Sequence, residues 1–389
     1  MMTIKRINNI NSLKLLNQLS ITKKFYSSIK SNEIDSKDKN KVSIYLSSLT
    51  DPYLNIAVEE WIIKKTPPNH RGVLYLYQNE ACVVIGRSQN PWKESNLFEL
   101  KKQDIKLVRR QSGGGTVYHD LGNSNYFVLM EREKFERIIN VTLVKQALNQ
   151  INLPVKVNER KDLTIDDLKI SGSAYKISGC WAYHHGTMLI DTNLNSLSKV
   201  LKNNLTIESK GVDSVRSKVT NLINYKKDLN HSLFCKAIIN QFNIKYNNGE
   251  KCEPILIDRS FLNKNPSILS YADKLKSWDW IYGQTPEFKL DHQFNFEYNN
   301  NDYELTLQIT SKYGKIKQIY LINNSITPSI LNNSIIDNFN LILNNLLLDQ
   351  LFKKETINLQ FQSILKTNIN SVNTILLNKI KSQIEALAS

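Results

Sequence analysis

The residues with the clearest chemical potential lie in one stretch, RRQSGGGTVYHDLGNSNY, which runs from Arg109 to Tyr126. Its three consecutive glycines are costly, because glycine loses more backbone freedom on folding than any other residue. Two interpretations fit the glycines: a tight hairpin turn, and a loop whose N–H groups hold an anion. The neighbouring arginines favour the anion site, since a guanidinium offers phosphate or carboxylate a planar fork of donors.

The known phosphate-binding loops do not match this stretch. A Walker loop is excluded because no Gly-Lys-Ser/Thr follows at the required spacing. A dinucleotide fingerprint is excluded because the G-x-G-x-x-G spacing is missing, and the strand-like segment Phe127–Met130 stands where a helix should begin. With the apolar-ended segment Ile105–Val108 before it, the stretch is predicted to run strand, glycine loop, strand.

Histidines, cysteines and a lone carboxylate are the candidates for a metal site or a nucleophile. His184 and His185 are adjacent, and neighbouring residues on a strand point to opposite faces, so this pair is poorly placed to chelate one ion. No C-x-x-C pair exists, which argues against a zinc site or a disulfide framework. His119 has no Ser or Cys at a telling spacing, so nucleophilic hydrolysis is not favoured. Asp162 is a possible magnesium ligand, but a single carboxylate is a weak signal.

Strands and helices that must position these residues can be read from apolar spacing and capping signals. A helix is predicted to begin at Thr50-Asp51-Pro52, and Val73–Tyr77 and Ala81–Ile85 are predicted to pair as two strands around Gln78–Glu80. Because the elements do not alternate as βαβ units, the predicted class is α+β with a mixed sheet. Further predicted elements are helices at Phe135–Ile151 and Ser232–Ile244 and strands at Lys169–Ala174 and Ala182–Ile190.

Composition and the pattern of predicted elements divide the 389 residues into three predicted parts. Residues 1–41 form a leader and linker, residues 42–288 the main domain, and residues 289–389 a smaller domain of short strands and helices. Met1–Lys30 carries basic residues and no acidic ones, which is typical of an organellar transit peptide and favours the mitochondrial matrix over the alternative of a disordered tail without a targeting role. The basic residues of this leader are Lys5, Arg6, Lys14, Lys23, Lys24 and Lys30.

The formal net charge of +15 raises the question of an anionic partner. A nucleic-acid binder is disfavoured, because no basic stripe interleaved with aromatic residues and no recognisable module is present. A membrane protein is disfavoured as well, since no apolar run approaches the roughly 20 residues needed to span a bilayer.

The glycine stretch resembles the signature of the lipoate–protein ligase and lipoyltransferase family, especially its mitochondrial lipoyltransferase branch. The resemblance covers roughly Val42 to Phe288, and several ordered segments carry it far more specifically than any one of them. The further segments are LKISGSAYK (Leu168–Lys176), YHHGTMLI (Tyr183–Ile190), KGVDSVRSKVTNL (Lys210–Leu222) and SWDWIYGQTPEF (Ser277–Phe288).

This resemblance implies a catalytic domain of the lipoate/biotin protein ligase type, with a smaller α+β C-terminal domain. It implies that lipoate is activated by ATP, with Mg²⁺, to lipoyl-adenylate and then transferred to a lysine. The implied acceptors are lipoyl domains of 2-oxoacid dehydrogenase E2 subunits and the glycine cleavage H protein, and a monomer is expected. Lys169 corresponds to the family's essential lysine. The implied lipoyl- and nucleotide-binding residues are Arg110, Gly113, Gly114, Gly115, Thr116, Val117, Tyr118, His119, Lys169, Gly172 and His185.

Two sub-functions stay open within the resemblance. SVRSKVTNL, at the end of the Lys210–Leu222 segment, resembles the adenylate-binding loop of ATP-dependent ligases, whereas Ser277–Phe288 is closer to the transferase branch, which moves lipoyl from H protein or a preformed lipoyl-nucleotide. Gln111 stands where many relatives carry a further arginine, and this departure puts one phosphate contact of the family in doubt. Biotin ligases and octanoyltransferases are a related alternative, but they carry different glycine motifs.

Overall fold

The computed structural model describes Tyr26 and residues 41–68, 70–203, 205–298, 301–324, 333–364 and 371–388. Of the predicted leader and linker, only Tyr26 and Lys41 fall within these residues, so the transit-peptide prediction lies outside them. The chain forms two compact units. The described residues of the first unit fall within Met1–Val84, Arg110–Asn195 and Val215–Lys276, and those of the second within Ile85–Arg109, Ser196–Ser214 and Ser277–Ser389.

Strands and helices are numbered in chain order over the described residues. The strands are β1 (Val42–Ser47), β2 (Gly72–Tyr77), β3 (Cys82–Ile85), β4 (Lys106–Arg109), β5 (Val117–His119), β6 (Asn123–Glu131), β7 (Lys156–Val157), β8 (Leu163–Ile165), β9 (Leu168–Lys169), β10 (Ser173–Ser178), β11 (Trp181–Leu189), β12 (Thr206–Ser209), β13 (Ile255–Ile257), β14 (Phe288–Tyr298), β15 (Asn301–Lys312) and β16 (Lys315–Asn323). The helices are α1 (Pro52–Lys65), α2 (Pro91–Glu94), α3 (Leu97–Lys102), α4 (Arg137–Gln150), α5 (Leu194–Leu201), α6 (His231–Tyr246), α7 (Arg259–Lys264), α8 (Ser267–Lys276), α9 (Trp278–Ile281), α10 (Asn333–Leu347), α11 (Lys354–Ile364) and α12 (Ser371–Leu387).

The first unit is built on a mixed six-stranded sheet in the order β10-β11-β6-β2-β1-β13. β1 is parallel to both β2 and β13, and the remaining neighbours are antiparallel. A small antiparallel sheet, β7-β8-β9, carries Lys169, and β5 pairs with β3 after the glycine loop. The predicted α+β class is therefore confirmed.

Helices cover both faces of the six-stranded sheet. On one face, apolar residues of α4 and α6 pack against the sheet in a single core cluster that includes Val128, Val144 and Phe234. On the other face, Trp61 of α1 and Phe261 of α7 pack edge-on around Tyr45 of β1. Two-sided coverage explains why β2 and β6 are buried along almost their entire length.

α1 begins where the capping signals predicted. The Asp51 carboxylate accepts hydrogen bonds from the backbone N–H groups of Tyr53 and Leu54, and Pro52 stands in the first turn, where its missing N–H costs nothing.

Two expectations about strands are wrong. β2 and β3 do not pair with each other, because β2 lies between β1 and β6 while β3 pairs with β5. The turn between β2 and β3 is instead hydrogen-bonded to α1: the side-chain amide of Asn55 donates to the Gln78 carbonyl and to the Asn79 side chain. The single strand predicted at Lys169–Ala174 is broken into β9 and β10. Gly172 stands in the break, where an added Cβ would lie 3.1 Å from Cγ1 of Val117.

The second unit contains an antiparallel sheet in the order β12-β14-β15-β16. Its core joins that sheet to α10, α11 and α12 and includes Trp92, which stacks with Phe352 at 5.4 Å between ring centroids. No helix within the described part of the chain is long and apolar enough to cross a membrane.

Candidate functional site

The glycine loop of the first unit is held by the buried guanidinium of Arg110. Nη2 donates to the carbonyls of Gly113 and Gly115, both at 2.7 Å, and Nη1 donates to the Val84 carbonyl at 3.0 Å. Burial lowers the pKa of Arg110 from 12.5 to about 10, so it remains charged at neutral pH. Arg110 thus fixes the loop's carbonyls. Because Arg110 holds the carbonyls of Gly113 and Gly115, the shape of the loop is set before any ligand binds.

A buried chain of hydrogen bonds continues from Arg110 to α1. Nε of Arg110 donates to Oγ of Ser112 at 3.0 Å, and that oxygen lies 2.6 Å from Nε2 of His185. Nδ1 of His185 lies 2.9 Å from the Glu59 carboxylate, which also accepts the phenol proton of Tyr77 at 2.9 Å. The hydrogen bonds are mutually consistent if Nδ1 of His185 carries the proton and donates it to the Glu59 carboxylate, which leaves Nε2 to accept from the Ser112 hydroxyl.

Ser112, His185 and Glu59 have the spacing of a nucleophile–base–carboxylate triad, an arrangement that the sequence did not predict. Ser112 is fully buried and its oxygen already accepts from Arg110, so the serine is engaged in the network and not presented as an attacking group. Glu59 was missed because it stands in an apolar helix face. The available signal was a pair of polar residues, Asn55 and Glu59, one turn apart within that face.

Lys169 lies at the end of β9, and its ammonium forms a 2.8 Å ion pair with the Asp162 carboxylate. Both side chains are largely buried, with 21% and 12% of their surfaces exposed. The backbone of Lys169 accepts from the Thr220 N–H and donates to the Lys218 carbonyl. The structure therefore places the LKISG and SKVTN segments, which lie far apart in the sequence, side by side at Lys169.

An open cleft of about 570 Å³ lies beside these groups in the first unit. Its walls include Gly113 and Gly114 of the glycine loop and Asp162, the ion-pair partner of Lys169. The cleft thus brings together the two segments that sequence reasoning placed around an anion. The remaining lining residues are Arg137, Glu159, Arg160, Lys161, Ser173, Ala174 and Tyr175.

Close approach of the glycine loop to β10 depends on Gly114. Its φ of +87° is in the region that favours glycine, and an added Cβ would lie 3.1 Å from Nη2 of Arg110 and 3.5 Å from Cβ of Ala174. At least this glycine is therefore required by both backbone angle and space. Gly113, by contrast, has open space around the position of a Cβ.

The residues that follow the loop lead back into the protein. Thr116 and Val117 are partly exposed, whereas Tyr118 and His119 are buried on β5. Nδ1 of His119 accepts from the Asn79 side-chain amide at 3.0 Å, and burial lowers the pKa of His119 to about 3. His119 is therefore neutral at physiological pH and offers no positive charge to a phosphate.

The two adjacent histidines point to opposite faces of the sheet, as predicted. His185 faces Glu59 on α1, whereas His184 stacks on Tyr175 at 4.4 Å and lies 3.1 Å from Oγ of Ser173. Among the described residues no group of three or more His, Cys, Asp or Glu side chains is arranged to hold a metal ion.

Arg109, the other arginine of the motif, belongs to the second unit and has a structural role there. Its guanidinium is fully buried and donates to the carbonyls of Gln89, Arg87 and Ile281 and to the Thr285 hydroxyl. Burial lowers its pKa to about 9. Adjacent arginines in the sequence therefore organise different parts of the protein.

The chain matches one family over much of its length. The model of the lipoyl protein ligase A/B catalytic domain matches residues 51–243. A lipoate–protein ligase A of Psychrobacter cryohalolentis is 34% identical over 295 residues, which cover 75% of this chain and 86% of that protein. This chain belongs to the lipoate–protein ligase family. The family expected from the glycine loop and the later segments is thereby confirmed.

Solved structures agree with this family. The crystal structure of Plasmodium falciparum LipL1 in complex with lipoate aligns with a TM-score of 0.55 at 28% identity, covering 88% of this chain and 99% of that one. A lipoate–protein ligase A bound with ATP aligns with a TM-score of 0.51 at 24% identity, covering 62% of this chain and 97% of that one. The second likeness establishes the lipoate–protein ligase fold.

Proposed function

We propose that this enzyme attaches lipoate to a specific lysine of lipoyl domains, through a lipoyl-adenylate made from lipoate and ATP. The observation that carries the proposal is the placement of Lys169. Its ammonium is sheltered and paired with the Asp162 carboxylate, and Asp162 lines the same cleft as Gly113 and Gly114 of the glycine loop. Such a cation suits a reaction in which a carboxylate must approach a phosphate.

In the first half-reaction, an oxygen of the lipoate carboxylate attacks the α-phosphorus of ATP, and pyrophosphate leaves. Two anions must be brought together, and the Lys169 ammonium reduces their repulsion and stabilises the charge that develops on the phosphoryl oxygens. Mg²⁺ typically takes one or two carboxylates together with substrate phosphates, and Asp162, the candidate from the sequence, lines the cleft together with a second carboxylate, that of Glu159. When bound, the ion would neutralise phosphate charge.

In the second half-reaction, the amine of the acceptor lysine attacks the acyl carbonyl of the mixed anhydride. The bond to the AMP oxygen breaks, AMP leaves, and the amine loses a proton as the amide forms. Lys169 stabilises both the carbonyl oxygen and the departing phosphate. Because water would hydrolyse the anhydride, the loop held by Arg110 must also keep the acyl group enclosed.

His185 supports the lipoyl end of the proposed site. The family resemblance makes it a residue of the lipoyl pocket, and here it is locked between Ser112 and Glu59. A locked, buried imidazole gives the pocket wall one shape and one pattern of donors and acceptors. Lipoate bound to LipL1, which is 28% identical, is in keeping with this substrate.

The proposed acceptors are the lipoyl domains of 2-oxoacid dehydrogenase E2 subunits and the glycine cleavage H protein. The cleft is rimmed by Arg137, Arg160 and Lys161, and the whole chain is basic. An acidic acceptor domain would be steered toward such a surface, most strongly at low salt. A mitochondrial matrix location, proposed from the leader, would place the enzyme beside these complexes.

An alternative is a lipoyl amidotransferase that takes lipoyl from H protein or from a preformed lipoyl-nucleotide. The observation that favours it is the resemblance of Ser277–Phe288 to the transferase branch. Mass spectrometry of an apo lipoyl domain, incubated with the enzyme and lipoate with and without ATP, tests the choice. A mass gain only with ATP supports the ligase. A gain only from lipoyl-H protein or lipoyl-AMP supports the transferase, and no gain from any donor contradicts both.

A further inference from the structure

Tyr26 is the one described residue of the leader, and it is built into the first unit. Its hydroxyl lies 3.2 Å from Nε2 of His231, the first residue of α6. Its ring packs against the core cluster formed by α4, α6 and the six-stranded sheet. The residue therefore sits in a niche of the folded enzyme, although it belongs to a stretch whose composition predicts a removable targeting signal.

His231, the residue that the Tyr26 hydroxyl contacts, has two further polar neighbours. Nδ1 of His231 lies 2.8 Å from Oγ of Ser124 on β6, and Sγ of Cys235 lies 3.4 Å from Nε2. Burial lowers the pKa of His231 to about 3, so the ring is neutral and needs one donor and one acceptor. Without the Tyr26 hydroxyl, the weak Cys235 thiol would be the remaining partner of Nε2 among the residues that the structure describes, and buried polar groups without good partners destabilise a protein.

The distribution of charge in the leader is consistent with a cut that spares Tyr26. The basic residues Lys5, Arg6, Lys14, Lys23 and Lys24 all precede Tyr26, and only Lys30 of the basic set follows it. A cut before Tyr26 would thus remove nearly all of the charge that makes the leader resemble a targeting signal.

We propose that the functional enzyme keeps Tyr26 as an anchor in the His231 niche, and that any maturation cut in the leader falls before this residue. A segment that is discarded cannot supply a partner to a buried histidine of the folded domain. The contact of Tyr26 with His231, and those of His231 with Ser124 and Cys235, involve residues outside the glycine loop and the Lys169–Asp162 ion pair, which carry the proposed acyl-transfer chemistry.

The first test is the N-terminus of the enzyme purified from its native cells, identified by mass spectrometry of the intact protein and of its N-terminal peptide. We expect the first residue to be Tyr26 or an earlier one. A chain that begins after Tyr26 would overturn the proposal.

The second test uses the full chain and thermal unfolding, so it does not depend on activity. Tyr26→Ala should lower the unfolding midpoint by at least about 2 °C, and Tyr26→Phe, which loses only the hydroxyl, should lower it less. Tyr320→Phe is the matched control, because this tyrosine is 40% exposed on the sheet of the second unit. A Tyr26→Ala midpoint equal to that of the unaltered chain would refute the anchor.

Discussion

The Asp162 carboxylate and the Lys169 ammonium form a 2.8 Å ion pair at the small sheet β7-β8-β9, next to the glycine-lined cleft. Thr164, the β8 residue that pairs with Lys169 on β9, is buried. An ion pair sheltered in this way orients the ammonium before any substrate binds, which is the arrangement that electrostatic catalysis requires.

Replacing Lys169 by Ala should leave the fold intact and reduce lipoylation by about 10²-fold or more, because one preorganised charge at a developing anion is worth that much. The measurement is single-turnover formation of lipoyl-adenylate and of lipoylated acceptor, with circular dichroism to verify folding. Lys156→Ala is the matched control, since this exposed lysine lies on the same small sheet. Unaltered rates in Lys169→Ala would refute the assigned role.

Asp162→Asn should impair catalysis less than loss of Lys169, by about 10-fold, because the ammonium remains but loses its orienting partner. The fall should appear in kcat more than in KM for lipoate. Asp167→Asn is the control: it lies in the exposed turn between β8 and β9 with a positive φ that Asn also tolerates. Equal losses in the two variants would point to a general disturbance of the sheet and not to the ion pair.

Glu59→Gln should lower the free energy of unfolding by about 1–3 kcal/mol, since the buried amide no longer matches both His185 and Tyr77. Urea denaturation measures this change. Glu60→Gln provides the comparison. The Glu60 carboxylate forms an ion pair with Lys64, whose side chain is 50% exposed, so this variant should change the free energy of unfolding by less than about 1 kcal/mol. Similar values for both variants would show that the buried chain contributes little to stability.

The first unit should lose stability in acid through its buried histidines. Burial lowers the pKa values of His119, His184 and His231 to about 3, well below the usual value of 6.5. Below pH 6.5 the unfolded chain binds protons that the folded chain does not, so stability is complete above about pH 6.5 and falls toward pH 3. The combined slope is at most about 4 kcal/mol per pH unit. His184→Gln should reduce that slope by about one third, and an unchanged slope would contradict this origin.

The leader should direct a passenger protein to mitochondria. A fluorescent reporter carrying residues 1–40 is expected to co-localise with a mitochondrial marker, because the leader is basic and free of acidic residues before Asn32. The same reporter with Lys5, Arg6 and Lys14 changed to Gln serves as the control. A cytosolic distribution of the unaltered fusion would refute the address.

Local elements followed well from the chain alone, whereas strand pairing did not. The cap at Asp51 and the helix that follows it depend on neighbouring residues, so their signals are local. β2 pairs with β1 and β6, and nothing in the local sequence of these strands specifies which strand each of them will pair with. A short turn between two apolar strands therefore predicted a hairpin that the buried sheet does not contain.

The sequence by itself determined the family, the α+β class and the identity of the residues around the glycine loop, because those depend on residue types in a fixed order. Only the tertiary structure decided which of these residues contact one another. It showed that Arg110 holds the loop, that Glu59 and Ser112 lock His185, and that Asp162 orients Lys169. These contacts join segments from α1, β9 and β11, and no local pattern encodes which distant partner a buried polar group will meet.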